Sequence, residues 1–183
     1  MSNPPAAPPE LAKLTECKRD PPPELSALAM PADAAWRAIV PLETSEAQMR
    51  KLMGEPKEVY PDDGATPTLF IYDTAGPWDV YVYLVEGDYG MRREYPSSLF
   101  RHVGSIDLLP EGDGLDFARV RVPKTFARKE VLAADAAWVD FHHATGLTYS
   151  VYGDLRSLGR LQRISHRPSD CQRKALGLAT SPD

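Results

Sequence analysis

Residues 80–86 read Val-Tyr-Val-Tyr-Leu-Val-Glu, and this stretch decides the fold. Its aliphatic side chains alternate with tyrosines, which is the period of two that a half-buried β-strand requires. Residues 68–72 form a second run of aromatic and β-branched residues. Because a Gly-Pro turn at residues 73–77 joins the two runs, the sequence predicts an antiparallel hairpin with a longer loop.

Other segments carry signals for two helices and for further strands of this sheet. Ser45 and Gln48 form a capping box ahead of an apolar stripe that ends at Gly54, which predicts a helix over residues 44–53. A second short helix is expected over residues 124–132. Strands are predicted at residues 103–109, 117–122, 137–142, 147–152 and 161–166. The order indicates an α+β fold in which a helix and three antiparallel strands occur twice in tandem.

Composition divides the chain into three parts. The 183 residues are 43% hydrophobic and 26% charged, which suits one globular domain with an unpacked arm. Seven of the 18 prolines lie between Pro4 and Pro23, so residues 1–35 are predicted to be an extended arm that protrudes and buries little surface. One short helix is expected within it, from Glu10 to Cys17. Residues 36–175 form the domain, and residues 176–183 a tail.

The two cysteines lie near opposite ends of the chain. Cys17 and Cys171 are interpreted as free thiols, with a disulfide between them as the alternative for an oxidising compartment. The first residues carry no signal-peptide pattern, and no apolar run approaches the roughly 20 residues that span a bilayer. The chain as written is therefore expected to be cytoplasmic, and it could associate there with a membrane-bound complex. The alternative is a periplasmic or secreted mature form.

Two segments resemble a bacterial family of secreted proteins. Residues 36–45, Trp-Arg-Ala-Ile-Val-Pro-Leu-Glu-Thr-Ser, run into a helix that ends Leu-Met-Gly-Glu-Pro at residues 52–56. The strand Gly146–Tyr152 and the later sequence Arg-Pro-Ser-Asp at residues 167–170 match the closing part of that pattern. The chain thus resembles the outer-membrane-assembly lipoproteins of SmpA/OmlA type and the β-lactamase inhibitor protein. The resemblance implies a binding module without catalytic residues.

Charge and aromatic residues indicate where a partner binds. Residues 57–116 carry 12 acidic and 4 basic side chains, whereas residues 155–183 carry 6 basic and 2 acidic ones. Tyr81 and Tyr83 share one face of their strand, as residues of binding surfaces do, although a covered core position is the alternative. The predicted partner-binding residues are Tyr81, Tyr83, Arg156, Arg160, Arg163 and Arg167. Opposite charges that face one another within the fold are the other interpretation of the charge asymmetry.

The four histidines offer a weak case for a metal. Neighbouring residues of a strand point to opposite faces, so His142 and His143 cannot both ligate one ion. A three-ligand site requires His102 or His166 to converge with one of them and with a carboxylate such as Asp140. Surface histidines are the preferred interpretation, and no metal is predicted.

Other catalytic patterns give no site. Ser105, Ser150 and Ser165 lie outside any nucleophile elbow, and the acidic pair Asp73 and Asp79 is expected in turns. The sequence contains no phosphate-binding loop motif. The sequence therefore predicts no catalytic residue, no cofactor and no nucleic-acid partner. The expected function is protein interaction, as an accessory or assembly subunit of a larger complex. The alternatives are an inhibitor-like binder, a small hydrolase or metal-dependent enzyme that uses the histidines, and a small-ligand carrier.

Overall fold

An antiparallel sheet dominates the computed structural model, which describes residues 9–17, 35–61, 65–74, 78–87, 94–119, 124–133, 136–153 and 158–180. The strands within these ranges are β1 (Glu58–Tyr60), β2 (Leu69–Asp73), β3 (Trp78–Leu84), β4 (Val103–Pro110), β5 (Leu115–Asp116), β6 (Ala127–Ala133), β7 (Ala136–His142), β8 (Leu147–Gly153) and β9 (Leu158–His166). The helices are α1 (Pro9–Thr15), α2 (Glu46–Met53) and α3 (Asp170–Ala175), with 3₁₀ turns at Ala35–Ala38, Ser97–Leu99 and Phe117–Arg119. The α+β class and the antiparallel sheet are confirmed.

The strands form one sheet in the order β1-β2-β3-β4-β9-β8-β7-β6, and β5 also pairs with β9. Every pairing is antiparallel. The last strand therefore lies in the middle of the sheet, between β4 and β8. This placement brings the basic C-terminal part of the chain beside β4, which separates it from the tyrosine-rich strand β3.

Helix α2 begins and ends at the predicted signals. Ser45 is its N-cap rather than a helical residue: the Gln48 amide donates to the Ser45 hydroxyl at 3.3 Å, and the Ser45 amide donates to the Gln48 side chain at 2.8 Å. Gly54 ends the helix with a φ of 79°. None of the helices formed by the described residues has the length and apolar character that a bilayer crossing requires.

Two predicted elements are wrong. Residues 124–132 were expected to be helical, but Ala127–Ala133 is a strand that pairs with β7 along its whole length. Cross-strand hydrogen bonding overrides the helical propensity of its Ala, Lys, Glu and Leu residues, and the tandem organisation loses its second helix. The strand expected at residues 117–122 instead opens with a 3₁₀ turn, because the Asp116 carboxylate accepts from the Ala118 amide at 3.0 Å. Residues 120–122 lie outside the described residues.

The main core lies on one face of the sheet. Trp78, Val80, Val82 and Leu84 of β3 point to it and are at most 1% exposed. Residues of β1, β2, β4, β5, β7, β8 and β9, of helix α2 and of the turn at Ala35–Ala38 complete this apolar layer. The opposite face of the sheet carries the alternate residues of each strand, and it is the candidate functional site.

A second cluster joins the two ends of the chain. Leu14 of α1 is fully buried with Leu42, Val85 and Leu99. A disulfide links Cys17 to Cys171, with Cα atoms 5.8 Å apart. The preference for free thiols is therefore wrong. The prediction of an arm that buries little surface is also wrong for residues 9–17, whereas the remainder of residues 1–34 lies outside the described residues.

The turn between β7 and β8 is held against the segment that leads into α3. The Gly146 amide donates to the His143 carbonyl at 2.9 Å. The Arg167 amide donates to the Gly146 carbonyl at 2.9 Å, and the Asp170 amide donates to the Ala144 carbonyl at 3.0 Å. The glycine and the Arg-Pro-Ser-Asp stretch of the sequence resemblance thus form one structural contact.

Candidate interaction face

Polar side chains cross the sheet in two adjacent rows on the face opposite the main core. The first row runs from β3 to β7, because residues directly opposite each other in paired strands share a face. It consists of Tyr81, Asp107, Ser165, Thr148 and His142.

The second row begins on β9 and ends on the edge strand β6. It consists of Arg163, Ser150, Asp140 and Lys129, again as directly opposed pairs. Tyr83 and Ser105 form a further pair beside the first row. These two rows, together with Tyr83 and Ser105, are called the polar face below.

The floor of the polar face is buried, whereas its flanks are half exposed. Asp107 is 6% exposed, Thr148 is 5% exposed, and Ser150 and Ser165 are each 1% exposed. Tyr81 and Tyr83 beside this floor are half-buried. Short hydroxyl side chains thus occupy the centre of this face, with the longer side chains of Tyr81, Tyr83 and Arg163 around them.

Arg163 and Asp107 form the charged contact of this face. The Arg163 Nη1 atom lies 3.6 Å from the Asp107 Oδ2 atom. The Arg163 side chain is 39% exposed, whereas that of Asp107 is 8% exposed. At this distance the pair is an ion pair without a short hydrogen bond, so the exposed guanidinium keeps donor capacity for another acceptor.

His142 is held by its cross-strand neighbour. Its Nδ1 atom lies 2.8 Å from the Thr148 Oγ1 atom. Burial is the largest influence on this imidazole and lowers its pKa, while Asp140 partly opposes the effect by raising it. A lowered pKa favours the neutral ring, which suits a hydrogen bond within the sheet. Because Thr148 is 5% exposed, its hydroxyl is shielded from a substrate and the pair has a structural role.

The histidines do not form a metal centre among the residues that the structure describes, where no three His, Cys, Asp or Glu side chains are grouped to hold an ion. His102 Nδ1 instead lies 3.2 Å from the Leu99 carbonyl. His143 Nδ1 lies 2.9 Å from the Thr145 hydroxyl, inside the β7–β8 turn.

The acidic pair Asp73 and Asp79 lies in strands, not in turns as expected. The two residues are directly opposed across β2 and β3. Lys57 Nζ lies 2.8 Å from Asp73 Oδ1, and this hydrogen bond lowers the pKa of Asp73. Burial and the neighbouring Asp73 raise the pKa of Asp79. The Asp73 side chain is 60% exposed, so the arrangement is a solvated ion pair.

The predicted partner-binding residues fall in three places. Tyr81, Tyr83 and Arg163 come together on the polar face. Arg160 shares that face farther along β9, where its guanidinium donates to the Gly114 carbonyl at 3.2 Å. Arg167 is exposed beyond the end of β9. Arg156 lies outside the described residues.

The sequence interpretation missed several members of this surface. Ser105, Ser150 and Ser165 were considered only as nucleophiles, although each alternates with apolar residues in its strand. Trp138 and Tyr152 form an edge-to-face pair with ring centroids 5.2 Å apart, and Tyr152 is opposed to Arg160. The alternation of polar and apolar residues in β8 indicates which of its residues share a face. It does not indicate which strands are neighbours in the sheet.

Comparison of the chain with protein-family models, with curated proteins and with solved structures finds no match.

Proposed function

We propose that the protein is a non-catalytic interaction module whose polar face binds another protein. One observation carries the proposal: Arg163, which is distant in sequence from Tyr81 and Tyr83, lies with them on one face beside a buried floor of small polar side chains. Tyrosine and arginine are the residue types, with tryptophan, that dominate the energy of protein interfaces.

Physical features of the polar face favour a protein over a small ligand. A tyrosine presents a large rigid surface and a hydroxyl, so it gains contact area with little loss of side-chain freedom. The aromatic pair of Trp138 and Tyr152 extends the same face beyond the second row. A surface that crosses β3, β4, β9, β8 and β7 has the breadth of a protein interface.

The role that we propose is an accessory or assembly subunit of a larger complex, with an inhibitor-like binder as the alternative. The support is the resemblance of residues 36–56 and 146–170 to the binding modules named above. Peripheral association with a membrane complex is compatible with either role.

We also propose that the protein works in an oxidising compartment, as a periplasmic or secreted form. The Cys17–Cys171 disulfide supports this, because such bonds persist outside the cytosol and are rare within it. Thiol alkylation of the protein immediately after cell lysis is the test. We expect no labelling until a reductant is added, and labelling without the reductant would contradict the proposal.

The interaction test uses affinity purification from native extract with isotope-labelled mass spectrometry. We expect the double variant Tyr81→Ala/Tyr83→Ala to capture about tenfold less partner than the wild-type protein does. Loss of interface tyrosines commonly weakens binding by this much. Leu52→Ala is the matched control, because Leu52 is 42% exposed on α2, which packs on the other face.

Circular dichroism of the double variant should match that of wild type, so that the loss reports on binding. Undiminished capture by the double variant, or an equal loss with Leu52→Ala, would contradict an interface on the polar face.

A further inference from the structure

Helix α1 occupies an apolar groove on the rest of the domain. Leu14 of α1 is fully buried, and it packs in one cluster with Leu42, Val85, Tyr95 and Leu99. We call these last four residues the α1 groove. Because the groove is apolar, its exposure to water is unfavourable, and α1 is the element that covers it.

Contacts that do not involve α1 hold the walls of the α1 groove. The Leu42 amide donates to the Val103 carbonyl at 2.7 Å. The Arg173 guanidinium of α3 donates to the Tyr95 hydroxyl at 3.1 Å. Since these bonds lie within the domain, the α1 groove is expected to keep its shape when α1 moves away.

Helix α1 is weakly anchored apart from its covalent bond. It has seven residues, whereas isolated helices shorter than about 12 residues are marginal in water. The Glu10 Oε2 atom is buried and has no hydrogen-bond partner among the described residues, so its desolvation opposes docking. The packing of Leu14 favours docking. The Cys17–Cys171 bond therefore decides how often α1 opens.

The two cysteines differ in their access to solvent. Cys17 is 8% exposed, whereas Cys171 on α3 is exposed. Thiol–disulfide exchange begins when a thiolate attacks one of the two sulfur atoms, and its rate depends on access to that sulfur. A thiol from solvent therefore meets Cys171 first, and Cys17 is the leaving group.

We propose that the Cys17–Cys171 disulfide is a thiol-exchange site, at which a small thiol such as glutathione becomes attached to Cys171 and unlocks α1. The thiolate attacks the Cys171 Sγ atom, and a new S–S bond forms as the Cys17–Cys171 bond breaks. The electron pair of the broken bond leaves on the Cys17 sulfur, which takes up a proton from water. Helix α1 then opens and closes while the domain stays folded, and each opening exposes the α1 groove.

Peptide mapping by mass spectrometry tests the direction of the exchange. The oxidised full chain is exposed briefly to reduced glutathione, and N-ethylmaleimide then blocks the free thiols. We expect singly modified molecules to carry glutathione on Cys171 and N-ethylmaleimide on Cys17. Glutathione mainly on Cys17, equal amounts on the two cysteines, or no glutathione adduct would overturn the proposal.

Hydrogen exchange tests whether the bond locks α1 locally. The variant Cys17→Ser removes the bond and keeps Leu14. We expect the amides of residues 12–17, which are protected in wild type, to exchange in this variant at close to the rate of an unfolded peptide, whereas those of β8 remain protected. Lys13→Ala is the matched control, because Lys13 is exposed on α1 and the bond stays intact. This control should leave the protection of residues 14–17 unchanged.

Two outcomes of the exchange experiment would contradict the proposal. Wild-type protection of residues 12–17 in Cys17→Ser would show that α1 stays docked without the bond. Exchange of residues 12–17 and β8 at one common rate would show that α1 opens only when the whole domain unfolds. Neither outcome depends on whether the polar face captures a partner, so this proposal and the proposed function can fail separately.

Discussion

Replacing Cys171 with serine is expected to lower the free energy of unfolding by about 4 kcal/mol and the Tm by about 8–16 °C. The disulfide joins residues that are 154 positions apart, so its loss frees almost the whole unfolded chain. Loop-closure entropy grows with the length of the closed loop, which places this bond toward the upper end of the usual range. Urea denaturation and calorimetry of purified protein measure both quantities.

Three matched samples should agree with that result. Cys17→Ser and wild-type protein in excess dithiothreitol should unfold with the same stability as Cys171→Ser. Removal of residues 1–17 should destabilise the domain further, because the buried Leu14 is lost as well as the bond. If Cys171→Ser lowered the free energy of unfolding by less than about 1 kcal/mol, the disulfide that links residues 9–17 to the domain would not stabilise it as expected.

Gly146→Ala is expected to lower the free energy of unfolding by about 3–4 kcal/mol. Gly146 has a φ of 88°, a conformation that a residue with a Cβ rarely adopts. A Cβ at this position would also overlap the backbone carbonyl of Arg167. The turn between β7 and β8 must then move away, which breaks the hydrogen bonds that Arg167 and Asp170 donate to it.

Gly112→Ala is the control for the backbone conformation alone. Gly112 has a φ of 71°, but nothing lies within 4 Å of a Cβ built there. Its alanine variant should lose only about 1–2 kcal/mol, the energy of the left-handed conformation. Equal losses for the two variants in urea denaturation would show that the contact between the turn and the segment before α3 contributes no stability.

Much of the sheet could be predicted because its signals are local. The alternation in residues 80–86 and 147–152 and the capping box at Ser45 depend on neighbours a few residues away. The same capping signature opens α3, where Ser169 and Gln172 bond reciprocally. This helix could therefore be predicted from the sequence, since both capping residues are present in it.

Strand β6 and the disulfide could not be predicted in this way. Residues 127–133 contain good helix formers, and only the hydrogen bonds to β7 make them a strand. The Cys17–Cys171 bond requires Cα atoms within reach, here 5.8 Å, and this depends on how α1 packs against α3.

The sequence by itself determined the secondary-structure type of most segments and the faces of β3 and β8. Only the tertiary structure decided that β9 lies between β4 and β8, and hence that Arg163 and Ser165 lie beside Asp107 and near Tyr81. The physical reason is that the period of two fixes which side of a strand a residue occupies, whereas the neighbour across the sheet is fixed by long-range hydrogen bonding and by burial of the common core.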